Sequence, residues 1–142
     1  MNIESLSNLS MDGKTAVVTG STQGLGETIA HLFADRGAKN IVITGRNAER
    51  GAKVKSALEA KGVKTVFVQS DLAKMADVRK VIAACDSSFG RIDALVCSAG
   101  ITGPKRYNRA RLDSYECGIQ PTPMRIGGGR FPVKYYLTAM LF

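Results

Sequence analysis

The stretch Thr19–Gly26, TGSTQGLG, has the residue types and the spacing that suit binding of a phosphate group. It lies between a short apolar run and apolar residues at helical spacing, which predicts a turn from a buried strand into a helix. Gly20 permits the tight turn, while Gly24 and Gly26 let the backbone approach a pyrophosphate and let the helix pack on a sheet. Free N–H groups at the positive end of the helix would hold the phosphates. The polar side chains expected to add hydrogen bonds are those of Ser21, Thr22 and Gln23.

Apolar runs alternate with amphipathic segments through residues 14–97, and this pattern predicts the elements that position the turn. The predicted strands are Lys14–Thr19, Asn40–Gly45, Lys64–Gln69 and Ile92–Cys97. Three helices are predicted between them, ending before Gly37, Gly62 and Gly90, with Asn47 as the N-cap of the second. The side chains expected to face the sheet are Leu25, Ile29, Leu32, Phe33, Val54, Ala57, Leu58, Val78, Val81 and Ile82.

Strands that alternate with helices through short links predict right-handed βαβ units and a parallel sheet. The strands are almost continuously apolar, as expected when both faces of a sheet are covered. We therefore predict an α/β fold: a truncated Rossmann-like, doubly wound parallel sheet with the expected order 3-2-1-4 and an irregular, basic C-terminal tail.

Composition and charge narrow the function classes further. The 142 residues suit one ordinary domain, and the net charge of +8 is concentrated in residues 103–142, which hold 7 Lys/Arg against 2 Asp/Glu. No aromatic residues are interleaved in a nucleic-acid signature, so we expect a solvated basic tail and no nucleic-acid partner.

Cys85, Cys97 and Cys117 lack the spacing of a metal site or a disulfide framework. Because the N-terminus MNIESLSNLS lacks signal-peptide regions, a cytoplasmic location with reduced thiols is expected.

Four motifs in order resemble the short-chain dehydrogenase/reductase family over about residues 11–102. They are TGSTQGLG at 19–26, ITGRN at 43–47, SDLA at 70–73 and LVCSAG at 95–100. The resemblance implies an oxidoreductase that transfers a hydride between a nicotinamide cofactor and a carbonyl or alcohol. One departure is CSAG in place of the usual NNAG, which puts in doubt the hydrogen bonds that order the central strands.

The end of the second predicted strand bears on the choice of cofactor. An acidic residue there would bind the ribose 2′-OH of NAD, whereas an arginine accommodates a 2′-phosphate. This sequence has Gly45 and then Arg46, with no acid, so NADP(H) is favoured over NAD(H). The alternative for Arg46 is an exposed surface side chain.

The resemblance assigns further residues to the cofactor. Asp71 and Leu72 match positions that contact the adenine, although Asp71 has the alternative role of accepting hydrogen bonds from free N–H groups at a helix start. Cys97 is expected to be a buried, small apolar residue and not a nucleophile. The complete predicted cofactor-binding set is Gly20, Ser21, Thr22, Gln23, Gly24, Leu25, Gly26, Arg46, Asp71, Leu72, Ser98, Ala99 and Gly100.

The same resemblance implies catalytic residues that these 142 residues do not contain. The family signature is YxxxK, and the positions four residues after the tyrosines are Arg111, Ile119, Ala139 and Met140. The strand that carries the family's catalytic serine is also missing. We therefore expect a cofactor-binding chain with no catalytic residues, and a strand four whose apolar outer side is exposed and favours a homo-oligomer.

The tail resembles a second family. YECG at 115–118, a Pro/Gly loop and RFPVKYYLTAMLF at 130–142 are similar to chain 3 of respiratory complex I, the membrane NADH-quinone oxidoreductase. This resemblance implies that Val133–Phe142 starts a membrane helix, although ten residues are too few to complete a span, which needs about 20. If this resemblance is set aside, the end segment would pack on the exposed side of strand four through Tyr135, Leu137, Met140 and Leu141.

Three domain segments follow from these patterns: a dinucleotide-binding half-domain at 1–102, a basic linker at 103–112, and a loop with the start of an apolar helix at 113–142. The meeting of two family patterns suggests a chimeric chain. Two alternative functions remain open. One is a fused fragment of the respiratory membrane protein, which would associate with a membrane complex through the C-terminal segment. The other is a non-catalytic nucleotide-binding module.

Overall fold

The protein forms a parallel sheet with helices on both faces. The computed structural model describes residues 10–99, 125–126, 129–130 and 135–138. The strands are β1 (Thr15–Thr19), β2 (Asn40–Gly45), β3 (Lys64–Gln69), β4 (Ala94–Cys97), β5 (Arg125–Ile126), β6 (Gly129–Arg130) and β7 (Tyr135–Thr138). The helices are α1 (Gly24–Asp35), α2 (Ala48–Glu59) and α3 (Met75–Phe89).

The large sheet has the order β3-β2-β1-β4-β7, and each neighbouring pair is parallel. The predicted α/β class and the order 3-2-1-4 are confirmed. Strands β5 and β6 form a separate antiparallel pair. In the large sheet the carboxyl ends of β1, β2, β3 and β4 share one edge, which is where ligands bind in open α/β sheets.

The core has two layers because alternate strand residues face opposite sides of the sheet. On one side Val18, Ile41 and Ile43 pack with residues of α1 and α2. On the other side Val17 and Val42 pack with residues of α3. The caps follow the sequence signals: the Asn47 side chain accepts a hydrogen bond from the Arg50 N–H, and Gly90 closes α3 in the left-handed conformation.

Three predicted core side chains are exposed. Leu25 and Leu32 of α1 are 38% and 48% exposed, and Ala57 of α2 is exposed as well. In α1 the fully inward positions belong to Gly26 and Ala30. Small residues there let the helix lie close to the sheet, so the larger leucine side chains fall at the margin of the contact.

Strand β7 pairs with β4 in a segment where we expected the start of an apolar helix. Residues 94–97 pair with residues 135–138. For Tyr135–Thr138 the helix prediction is wrong, because aromatic and β-branched residues suit a strand and β4 offers unpaired backbone groups. The outer side of β4 is therefore not an open edge. Met140 and Leu141 lie outside the described residues.

A buried carboxylate joins the amino ends of β1 and β4. Asp93 Oδ2 accepts hydrogen bonds from the Thr15 backbone N–H and from Arg91 Nε, each at 2.9 Å. Burial by itself raises the pKa of Asp93, but the hydrogen bonds from Arg91 and Thr15 outweigh burial and the net pKa is lowered. The charged form of Asp93 thus stabilises the fold.

Replacing Asp93 with asparagine is expected to lower the free energy of unfolding by about 1–3 kcal/mol at neutral pH, because the charged acceptor is lost. A lowered folded pKa means that this stabilisation is present above the unfolded value of about 3.9 and is lost as pH falls through the folded pKa. Urea unfolding at pH 7 and at decreasing pH should show the difference between the two proteins shrinking. The exposed Asp86→Asn is the control, and an effect of Asp93→Asn equal to that of the control would contradict this role.

Candidate dinucleotide-binding site

The glycine turn after β1 lies at the carboxyl edge of the sheet and packs directly on the end of β4. Gly20 has a φ of +63°, and a Cβ added there would lie 2.7 Å from the Ala99 Cα. Thr19 Oγ1 accepts hydrogen bonds from the N–H groups of Ser98 and Ala99, at 3.1 and 3.3 Å. Thr19 therefore orders the backbone of Ser98 and Ala99, in the motif where the departure from NNAG had put such bonds in doubt.

The turn leads into α1 at very close range. A Cβ on Gly26 would overlap the carbonyl oxygen of Gly20, so only glycine allows the helix to begin this close to the strand. Gln23 is the N-cap residue of α1, and its side chain makes no capping hydrogen bond to the helix. Gln23 thus leaves the first N–H groups of α1 without its cap, and these groups carry the partial positive charge that attracts an anion.

The polar residues of the turn have different surroundings. Ser21 is fully buried; its Oγ donates to the Val18 carbonyl at 2.7 Å and accepts from the Thr44 N–H at 3.0 Å. Its hydroxyl therefore ties the end of β1 to the end of β2, which differs from the phosphate contact expected from the sequence. Thr22 and Gln23 lie at the surface, where they line a cleft.

The cleft has a volume of about 420 Å³ and opens between the glycine turn and the start of α2. Its lining residues are Thr22, Gln23, Arg46, Asn47 and Arg50, none of them acidic. Arg46 lies where the sequence placed it, directly after β2. Arg50 was missed: it lies in the first turn of α2, and no local pattern in the sequence indicates that its side chain lines the same cleft as Arg46.

Asp71 and Leu72 follow β3 at the same edge of the sheet. Asp71 Oδ1 accepts a hydrogen bond from the Ala73 N–H at 3.1 Å, and the Asp71 N–H donates to Asp77 Oδ2 at 2.7 Å. The Asp71 carboxylate is thus engaged in its own turn, before the N-cap residue Lys74 of α3. Leu72 is partly buried against the core layer of α3.

The described cysteines lie in different environments. Cys85 of α3 is fully buried, and burial, followed by the nearby charges of Asp86 and Asp93, raises its pKa to about 12. A thiol with that pKa is not a nucleophile at neutral pH. Cys97, at the end of β4, is half-buried. Cys117 and the predicted site residue Gly100 lie outside the described residues.

The described part of the chain offers neither a metal site nor a membrane-spanning helix. Across residues 10–99 and the three short C-terminal strands, no group of three or more His, Cys, Asp or Glu side chains could hold a metal ion. Nor is any helix in these ranges long and apolar enough to cross a membrane.

The fold and the glycine turn define an α/β nucleotide-binding protein of the Rossmann type. The family model described as short chain dehydrogenase matches residues 14–120, and the chain belongs to that family. The match runs through the predicted linker at 103–112 and past YECG at 115–118. The comparisons do not support the resemblance of the tail to a respiratory membrane protein.

Curated relatives include two bacterial proteins. The chain is 42% identical over 106 residues to the uncharacterized oxidoreductase YgcW of Escherichia coli K12, covering 71% of this chain and 40% of that protein. It is 38% identical over 95 residues to a 3beta-hydroxysteroid dehydrogenase of Mediterraneibacter gnavus, covering 67% of this chain and 34% of that protein. The chain therefore spans well under half the length of these relatives.

Two solved structures share the fold. L-sorbose reductase from Gluconobacter frateurii, complexed with NADPH and L-sorbose, matches with a TM-score of 0.66 and 37% identity, covering 70% of this chain and 38% of that chain. A short chain dehydrogenase/reductase from Burkholderia phymatum, in complex with NAD, matches with a TM-score of 0.62 and 30% identity, covering 66% and 33%. The two proteins bind different nicotinamide dinucleotides, so likeness to them does not decide between NADPH and NAD for this chain.

Proposed function

We propose that this chain is the cofactor-binding part of a nicotinamide-dependent short-chain dehydrogenase and that it binds NADP(H) in preference to NAD(H). One observation carries the proposal: the start of α1, which its N-cap residue Gln23 leaves without a side-chain cap, adjoins a cleft that contains Arg46 and no acidic lining residue. A helix start that attracts anions and a guanidinium close to it would suit the pyrophosphate and the 2′-phosphate of NADP(H).

The residues of the glycine turn fit such a cofactor. The absence of a Cβ at Gly20 and Gly26 keeps the turn compact, and the N–H groups at the start of α1 would bind the pyrophosphate. Leu25 lies within that same first turn of α1. Ser21 would stabilise the turn through its hydrogen bonds to β1 and β2, without contacting the phosphates.

The other predicted site residues would contact the cofactor at the carboxyl edge of the sheet. Asp71 and Leu72 would border the adenine, and Ser98 and Ala99, beside Gly20, would border the middle of the cofactor together with Gly100, which lies outside the described residues. Arg46 would pair with the 2′-phosphate, because a guanidinium forms charge-assisted hydrogen bonds with phosphate oxygens.

We further propose that these 142 residues bind the cofactor without transferring a hydride. The dinucleotide would supply or accept the hydride. The sequence contains no YxxxK motif, whose tyrosine and lysine would transfer the proton. On this proposal residues 1–102 form the dinucleotide-binding half-domain, and 103–112 link it to the tail. The chain alone would then act as a non-catalytic nucleotide-binding module.

The test is a fluorescence titration of the purified chain with NADPH and with NADH, followed by a turnover assay with a panel of carbonyl substrates. We expect the dissociation constant for NADPH to be at least about tenfold lower, the ratio expected from one added charge-assisted contact, and no oxidation of NADPH above background. Equal affinities would contradict the NADP(H) preference. Sustained turnover would contradict the proposed lack of catalysis.

A further inference from the structure

A second guanidinium lies in the cleft beside Arg46, on a different element. Arg50 is in the first turn of α2, and its Nη1 donates a hydrogen bond to Gln23 Oε1 of the glycine turn. The two residues are 27 positions apart in sequence, so this contact joins α2 to the phosphate-binding turn across the cleft.

The backbone around the cleft holds these residues in place. A Cβ on Gly45 would overlap the Thr22 side chain, so the end of β2 and the glycine turn are in direct contact. Asn47 Oδ1 accepts from the Arg50 N–H at 2.9 Å and fixes the start of α2. Arg46 therefore lies just before the N-cap residue of α2 and Arg50 just after it, and both side chains line the same cleft.

The charges of the cleft are unbalanced. Neither arginine has an acidic partner among the lining residues, and the neighbouring Glu49 is engaged by Lys53 at 3.0 Å. A phosphate monoester carries a charge of about −1.5 to −2 at neutral pH, with three acceptor oxygens. Such a group has enough charge and enough acceptors to bind two guanidinium groups at once.

We infer that Arg50 is a second determinant of specificity for the 2′-phosphate of NADP(H), and that Gln23 is a positioning residue that holds Arg50 at the cleft. The inference rests on the proposed function, since it assigns a further residue to the same site. Gln23 offers a neutral acceptor, so Arg50 is oriented without its charge being neutralised. When the phosphate enters, its oxygens accept hydrogen bonds from the guanidinium N–H groups that Gln23 leaves free, and the bond to Gln23 is kept.

The first experiment compares Arg50→Gln with Lys55→Gln, which removes the same charge from the same helix at a residue outside the cleft lining. Binding of 2′,5′-ADP, 5′-AMP, NADPH and NADH is measured by calorimetry. We expect Arg50→Gln to weaken 2′,5′-ADP and NADPH about tenfold, and to change 5′-AMP and NADH less than about twofold. Lys55→Gln should leave all four within about twofold.

The second experiment is a double-mutant cycle. Gln23→Leu should weaken NADPH about threefold in the parent chain and have no further effect in the Arg50→Gln background, because Gln23 acts through Arg50. Equal weakening in both backgrounds would overturn the positioning role. An equal loss of NADPH and NADH in Arg50→Gln would overturn the specificity role. If the folded parent chain binds neither dinucleotide, the proposed function itself fails, which the parent titration alone reveals.

Discussion

Replacing Gly20 with alanine is expected to abolish measurable NADPH binding and to lower the free energy of unfolding by about 2–4 kcal/mol. Two causes add together. The φ of +63° is unfavourable for a residue with a Cβ, and the new Cβ would lie 2.7 Å from the Ala99 Cα. Backbone atoms cannot move aside as a flexible side chain can, so the turn and the end of β4 must separate and the phosphate-binding N–H groups are displaced.

Gly62→Ala is the matched control. Gly62 also has a positive φ, +84°, but a Cβ there would meet nothing within 4 Å, and the residue follows α2 away from the glycine turn. The Gly62→Ala substitution should lower the free energy of unfolding by only about 1 kcal/mol, through backbone strain, and leave NADPH affinity unchanged. Chemical denaturation and calorimetry of both variants separate the two effects. Equal stabilities and full NADPH binding by both would show that the contact between Gly20 and Ala99 does not shape the site.

Arg46→Asp is expected to weaken NADPH binding about a hundredfold and to leave NADH binding equal or tighter. The substitution removes the proposed partner of the 2′-phosphate and places a carboxylate there, which repels the phosphate but can accept a hydrogen bond from the ribose 2′-OH of NADH. Calorimetric titrations with both cofactors measure the ratio of the two dissociation constants.

Lys64→Asp serves as the control for charge alone. Lys64 is exposed at the amino end of β3, opposite the edge that carries the glycine turn, and its replacement changes the net charge by the same amount. NADPH affinity should change only a few-fold at physiological ionic strength, because exposed charges separated by more than about 8 Å are screened. A preference for NADPH that survives Arg46→Asp would remove Arg46 from the proposed role.

Local signals in the sequence predicted most of the fold. The strands before and after the glycine turn, and the capping roles of Asn47 and Gly90, depend on residues close together in the chain, so period and propensity were sufficient. The inward face of α1 was predicted less well. Hydrophobicity favours Leu25 and Leu32, whereas the close approach of the helix to the sheet requires Gly26 and Ala30.

The remaining differences arise from contacts between distant segments. Pairing of β7 with β4 joins residues 94–97 to 135–138, and no local pattern indicates which strand will occupy an open edge. The role of Ser21 as a tie between β1 and β2 depends on Thr44, and the position of Arg50 depends on Gln23. Such pairs are visible only once the chain is folded.

The central claim, that the start of α1 and the adjoining arginine cleft hold a dinucleotide, is tested most directly by mapping amide chemical shifts of the labelled chain during titration with NADPH. The largest shifts are expected at Gly20–Gly26 and at Arg46 and Arg50. Smaller shifts are expected at Asp71 and Ser98, and none at the amino edge around Asp93. Saturable binding that shifts the amide of Asp93 and its neighbours but leaves Gly20–Gly26 unchanged would contradict the claim.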